Sequence, residues 1–342
     1  MTEFNQPLLE CLLLHVGLRQ TLWYTSTCRA RSAERKWLIE HHAVIDFRNA
    51  DEFRNRKIYP KNVLALWDRT DAFPCAVTHL QFVALFDRSL AGVQWPPTLK
   101  HLTLSERFDQ SLDHTALPST LRQLTFGMCF SQTLDNVVLP PNLTHLRFGY
   151  GFDRSLDKAA LPPTLTHLTF GHCFNRPLQD VTLPASLTCL TFGARFNQSL
   201  ENVTLPPTLT HLTLGECFDQ PLDNVTLPST LRGLTFCGRF DQPLDDVRLP
   251  PRLLHLTFGF AFNQSLENVT LPLTLEQLLF GDFFDQPLEN VTLPPTLTHL
   301  RLGWRYNRPL DNVPLPLSLT NLTVHHSYKL PLPAHIRVGR WL

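Results

Sequence analysis

Hydrophobic residues recur along this chain at one fixed interval. An aromatic stands every 22 residues, at Phe86, Phe108, Phe130, Phe152, Phe174, Phe196, Phe218, Phe240, Phe262, Phe284, Tyr306 and Tyr328. Counting that aromatic as position 0, leucine fills positions 4, 13 and 16 of all eleven complete units between Phe86 and Ser327. Position 7 is mostly valine, position 18 is Phe, Leu or Val, and position 10 is always proline. No unit gains or loses a residue. A leucine-rich period of this length signals a solenoid of stacked coils, none of which buries its apolar face alone.

Each unit predicts a strand and a return. Positions 14 to 19, such as Thr166-His167-Leu168-Thr169-Phe170-Gly171, alternate as a strand does, with Leu168 and Phe170 on one face and His167 and Thr169 on the other. Stacking the units predicts a parallel sheet along one side. Positions 0 to 12 carry proline at 10, often at 11 and sometimes at 3, which excludes a long helix there. Position 1 is Asn or Asp in ten of the eleven units and Ser131 in the other. Its short acceptor oxygen suits a turn closed onto backbone N–H groups. Position 6 admits Gly92, His114 and Lys158 and reads as a solvated turn. Upstream, Tyr59 to Leu66 and Phe73 to Phe82 repeat the pattern in shortened form, as terminal coils do. The expected organisation is a helical N-terminal segment over residues 1–57 and a leucine-rich-repeat-like solenoid over 58–342.

The N-terminal segment lacks the 22-residue period. Leu9, Leu12, Leu13 and Val16 form an apolar helical stripe, and a second helix is expected from about Thr27 to His41. Leu8 to Val16 lacks a basic flank and a cleavage site, so a signal peptide is not expected.

Composition removes several functional classes. Thirty basic residues balance thirty acidic ones, which disfavours nucleic acid as a partner. No run of 18 apolar residues occurs, so no membrane helix is expected. Cys129, Cys173 and Cys217 share one repeat position two coils apart, which puts them roughly 10 Å from each other. That is too far for a disulfide. Reduced thiols point to an intracellular home, cytoplasmic or nuclear. His101, His145, His167, His211, His255 and His299 form a column at position 15. A straight row of imidazoles does not make a tetrahedral zinc site. Neither a phosphate loop nor a catalytic motif occurs, so an enzyme is not expected and no cofactor is implied.

Two resemblances follow. Phe174-Asn175-Arg176-Pro177-Leu178 and Tyr306-Asn307-Arg308-Pro309-Leu310 resemble the FNIP repeat, a relative of the leucine-rich repeat. The likeness covers about residues 73 to 331 and implies a protein-interaction module. Separately, Pro7-Leu8-Leu9-Glu10, Leu12-Leu13-Leu14, Thr27-Cys28-Arg29 and Trp37 resemble a degenerate F-box, the helical motif that docks on Skp1 in cullin-type ubiquitin ligases. That resemblance implies a substrate receptor in which Leu9, Leu12, Leu13 and Trp37 bind Skp1. The alternative is a stand-alone scaffold whose N-terminal helices only cap the solenoid.

One column departs from the fixed pattern. Position 20 reads Glu106, Met128, Tyr150, His172, Ala194, Glu216, Gly238, Phe260, Asp282, Trp304 and His326. No single buried setting accepts Glu, Gly and Trp alike, so the column is expected at the surface. With Arg147 and Arg301 replacing threonine at position 17, it suggests two partner-binding patches: Arg147 with Tyr150, and Phe260 with Arg301 and Trp304.

Overall fold

The computed structural model describes residues 43–46, 63–67, 77–82, 85–332 and 336–341. Its strands are β1 Ala43–Asp46, β2 Val63–Trp67, β3 His79–Phe82, β4 His101–Thr103, β5 Gln123–Thr125, β6 His145–Arg147, β7 His167–Thr169, β8 Cys189–Thr191, β9 His211–Thr213, β10 Gly233–Thr235, β11 His255–Thr257, β12 Gln277–Leu279, β13 His299–Arg301, β14 Asn321–His325 and β15 Arg337–Trp341. They form one parallel sheet in strict chain order. From β3 to β14 every strand pairs with residues 22 positions away, as His145 with His167. Among the described residues there is no helix.

The end coils are tighter than the rest. Leu64 pairs with His79 and Asn321 with Arg337, so both coils are shorter than the repeat. The sheet also begins earlier than the 22-residue pattern does. β1 pairs with β2 although it lies before residue 58, where no periodic leucine marks it. The two expected N-terminal helices fall outside the described residues.

Two tight turns shape every coil between Phe86 and Ser327, and a third shapes nine of the eleven. In the coil that starts at Phe130, Val137 N–H donates to Leu134 O, Leu143 N–H to Pro140 O, and Phe152 N–H to Gly149 O. These bonds bend the chain at positions 4–7, 10–13 and 19–22 and leave no stretch long enough for a helix. They also shorten the strand. Only positions 15 to 17 pair as strand, although 14 to 19 alternate in sequence, because position 19 already opens a turn. Glycine fills that position in eight of the eleven units, with Ser105, Cys237 and His325 the exceptions, and where one glycine stacks on another the reason is steric. A Cβ on Gly171 would lie 1.6 Å from the Gly149 carbonyl oxygen of the coil below.

The core is two columns of rings between sheet and return. Phe196 is fully buried and stacks 6.1 Å from both Phe174 and Phe218. Phe192 from position 18 packs 3.9 Å against it. Neighbouring position-18 rings are closer to each other, 5.7 Å for Phe148 and Phe170, while strands in a sheet lie about 4.8 Å apart. Coil spacing thus widens from the sheet toward the return side. The sheet lies on the inside of the curve.

Position 1 does not close a local turn as expected. In nine of the eleven units, all but those of Ser131 and Asn307, its side chain ties the coil to the next. Asn197 Oδ1 accepts from the backbone N–H of Asp219, 2.9 Å away, and from Gln220 Nε2. The same link joins Asp219 to Asp241 and Asn263 to Asp285. At the start of the ladder, the Asp109 N–H and the Gln110 amide hold the Asp87 carboxyl below its usual range. Each such bond contributes about 0.5–1.5 kcal/mol.

Candidate functional site

The inner face of the sheet presents positions 15 and 17 to solvent. At position 15 the imidazoles stand in register rather than converging. His145 and His167 stack 4.1 Å apart and within 8° of parallel; His79 and His101 do the same at 4.0 Å. Threonines at position 14 fix the rings, as where Thr144 Oγ1 lies 2.9 Å from His145 Nδ1. Burial first, and then the neighbouring imidazole, pushes His79 and His145 below the ordinary histidine pKa. Stacked rings point their nitrogens in parallel, which does not surround a metal ion. Among the described residues no three His, Cys, Asp or Glu side chains form a ligand cluster.

Position 20 lies at the rim, just past the C-terminal ends of the strands. The rim is stitched by backbone bonds between coils, such as Phe283 N–H to Phe260 O at 2.9 Å and Arg305 N–H to Asp282 O at 2.8 Å. Tyr150, Phe260 and Trp304 are each about half exposed, at 49%, 47% and 51%. Arg147 and Arg301 end their strands exposed on the inner face.

The two expected patches differ in how far they assemble. In the first, the Tyr150 ring lies flat on His172 at 4.4 Å, and Arg147 sits on the adjoining strand face. In the second, Phe260 meets Phe283 edge to face at 5.8 Å. The Arg305 guanidinium lies 4.1 Å above the Phe283 ring. Trp304 stands edge-on to His325 at 6.1 Å. Phe260 and Trp304 are two coils apart, and Phe283 and Arg305 fill the span between them. Those two were not among the expected residues. Their column, position 21, varies from Gly151 to Phe283 and Arg305, and that variation is the signal that would have found them. Leu9, Leu12, Leu13 and Trp37 lie outside the described residues.

The second patch offers apolar area with cations at its edge. An aromatic pair covered by a guanidinium gains from partners that bury the rings and supply an acceptor.

No curated protein matches the chain in sequence. The solved structure of CroV588, a circular leucine-rich-repeat protein, is 31% identical; the match covers 82% of this chain and 53% of that one, with a TM-score of 0.60. The chain therefore spans about half the length of that relative. Internalin InlF of Listeria monocytogenes is 15% identical over 76% of this chain and 77% of its own, at a TM-score of 0.52, and shares the fold. The FNIP Repeat family matches residues 86–129, 130–173, 174–217, 218–261 and 262–305 in unbroken succession. The chain is a leucine-rich-repeat-like solenoid and belongs to the FNIP repeat family.

Proposed function

We propose that this solenoid is a protein-interaction module and that its partner docks on the rim patch of Phe260, Phe283, Trp304 and Arg305, reaching Arg301 on the adjoining strand. The observation that carries this reading is the half-exposed aromatic surface, held in place by ring contacts and by the backbone ladder beneath it. Large exposed aromatics with a neighbouring arginine are typical interface anchors. Arg147 and Tyr150 form a second, smaller contact on the same side of the molecule. The test is affinity capture with the wild-type chain and with Phe260→Ala/Trp304→Ala, both compared by mass spectrometry. A protein held by the first and lost by the second supports the site. An identical set of captured proteins contradicts it.

A finer reading makes the module the substrate receptor of an SCF-type ubiquitin ligase. It rests on the F-box-like sequence from Pro7 to Trp37. In that reading Leu9, Leu12, Leu13 and Trp37 recruit Skp1 while the solenoid holds the target. Skp1 should bind the full chain and lose affinity for Leu12→Ala/Leu13→Ala. Failure of Skp1 to bind the intact chain removes this reading and favours a stand-alone scaffold whose N-terminal helices cap the solenoid.

A further inference from the structure

The chain is neutral overall, yet its charges are sorted by face. Strand positions 15 and 17 carry no carboxylate in any of the eleven units; they hold mostly histidine and threonine, with the two arginines Arg147 and Arg301 and the uncharged Gln123, Cys189, Gly233, Gln277, Leu279 and Asn321. Position 5, at the turn on the other side of the coil, is acidic in nine of the eleven. Position 1 on the return is aspartate in six. The ion pairs Arg176–Asp153 and Arg308–Asp285 also lie on the return side. Positions 15 and 17 therefore offer polar groups and the two arginines without a carboxylate between them, while Glu276 and the rim residues Glu106, Glu216 and Asp282 border the face.

We infer that the inner face of the sheet is matched to an acidic, extended segment of a partner protein, bound along the histidine column between Arg147 and Arg301. This inference rests on the reading of the chain as a protein-interaction module and names the chemistry of the partner. Charge complementarity selects the occupant, since like charges across an interface cost several kcal/mol and opposite ones fix register. Nucleic acid fits less well. Its affinity grows with the number of phosphates neutralised by lysine and arginine, and positions 15 and 17 supply only two fixed cations. The column supplies the rest on demand. Within that stretch, on the Arg147 strand and the one after it, His145 and His167 form a stacked pair whose Nδ1 atoms are held by Thr144 and Thr166; His79 and His101 form a like pair before it, toward the N-terminus.

Other charged groups flank the column. At position 14 these are Lys100, Arg122, Arg232 and Glu276, and at the rim, position 20, the carboxylates Glu106, Glu216 and Asp282. Cys189 is the remaining titratable group in the column itself. A bound carboxylate would favour the imidazolium form that burial and the paired ring now oppose. Binding of an acidic segment therefore takes up protons and tightens as pH falls through the histidine range.

The test uses the full chain and fluorescent poly-L-glutamate of twenty residues, followed by anisotropy at low salt and pH 6.5. The expected result is saturable binding, at least tenfold weaker for Arg147→Gln/Arg301→Gln and weaker again as salt rises. Affinity should increase from pH 7.5 to pH 6, and His145→Gln/His167→Gln should blunt that increase. No binding, or equal binding by the arginine variant, overturns the inference. So does a single-stranded oligonucleotide of equal charge that binds more tightly, or salt-sensitive self-association that puts a second copy's acidic turns on this face. A captured partner that is lost with Phe260→Ala/Trp304→Ala while poly-L-glutamate fails to bind the intact chain would leave the rim site standing and remove only the acidic segment.

Discussion

Phe196 and Phe218 face each other across one coil boundary with their rings 6.1 Å apart and 4° from parallel. Each is fully buried, so each ring's setting is supplied by the coils on either side. Phe196→Ala removes a ring that also touches Phe192 and Phe174. It should cost about 3–5 kcal/mol. Because solenoid stability is summed over neighbours, the lesion should loosen nearby coils before the array melts. Amide exchange is expected to accelerate first around residues 174–240. Uniform acceleration across the chain would show that the coils do not behave as nearest-neighbour units.

Two tyrosines at the end of the aromatic column make opposite predictions. Tyr328 donates its hydroxyl to Arg308 O at 3.0 Å. Tyr306 occupies the same column 22 residues earlier, and its buried hydroxyl has no partner among the described residues. Burial there also pushes the phenol strongly upward, beyond its ordinary range. Tyr306→Phe should therefore raise stability by about 1 kcal/mol, and Tyr328→Phe should lower it by about as much. Chemical denaturation of both variants, compared at equal slope, decides the signs.

Gly171→Ala should be among the most damaging single changes. Its Cβ would meet backbone of the coil below, and backbone cannot step aside as a side chain can. A loss of about 3 kcal/mol or more is expected. Position 19 also holds Ser105 and His325 near the ends of the repeat array, and Cys237 within it, where the next residue, Gly238, turns with φ of 45°. A Gly171→Ala protein as stable as wild type would show that the coil spacing is softer than described.

The stacked imidazoles predict a pH dependence of stability. His79 and His145 titrate below the unfolded value of about 6.5. Between the lowered and the unfolded pKa, the unfolded chain binds more protons than the folded one, so stability rises with pH across that window. It is lost as pH falls below about 6.5 and is fully present above it. The melting temperature should be lower at pH 5.5 than at 7.5, and His145→Gln should narrow the difference. A melting temperature that rises on acidification would reverse the sign.

The architecture was legible because one aromatic and three leucines recur in every 22-residue unit without slippage, and only stacking buries them all. Two things were not. Asn197 and Asp219 look like local turn residues, yet their oxygens act on the coil 22 residues ahead, a partner that no short window displays. β1 carries no repeat signature, so its place in the sheet was invisible from period alone. At the rim, the spread of residue types at position 20 marked Tyr150, Phe260 and Trp304 as exposed, and they are. Phe283 escaped notice because its neighbours in the column are Ala261 and Arg305. The contact that recruits it to the patch, ring edge against Phe260, depends on how adjacent coils sit.

The central claim is that the rim aromatics hold a partner without holding the fold. It is tested most directly by titrating the captured partner against wild-type protein, Phe260→Ala and Trp304→Ala, after circular dichroism and melting have shown all three to be equally folded. Each substitution should weaken binding by about 1–2 kcal/mol, roughly 5- to 30-fold. Three equally folded proteins that bind the partner with one and the same affinity would contradict the claim.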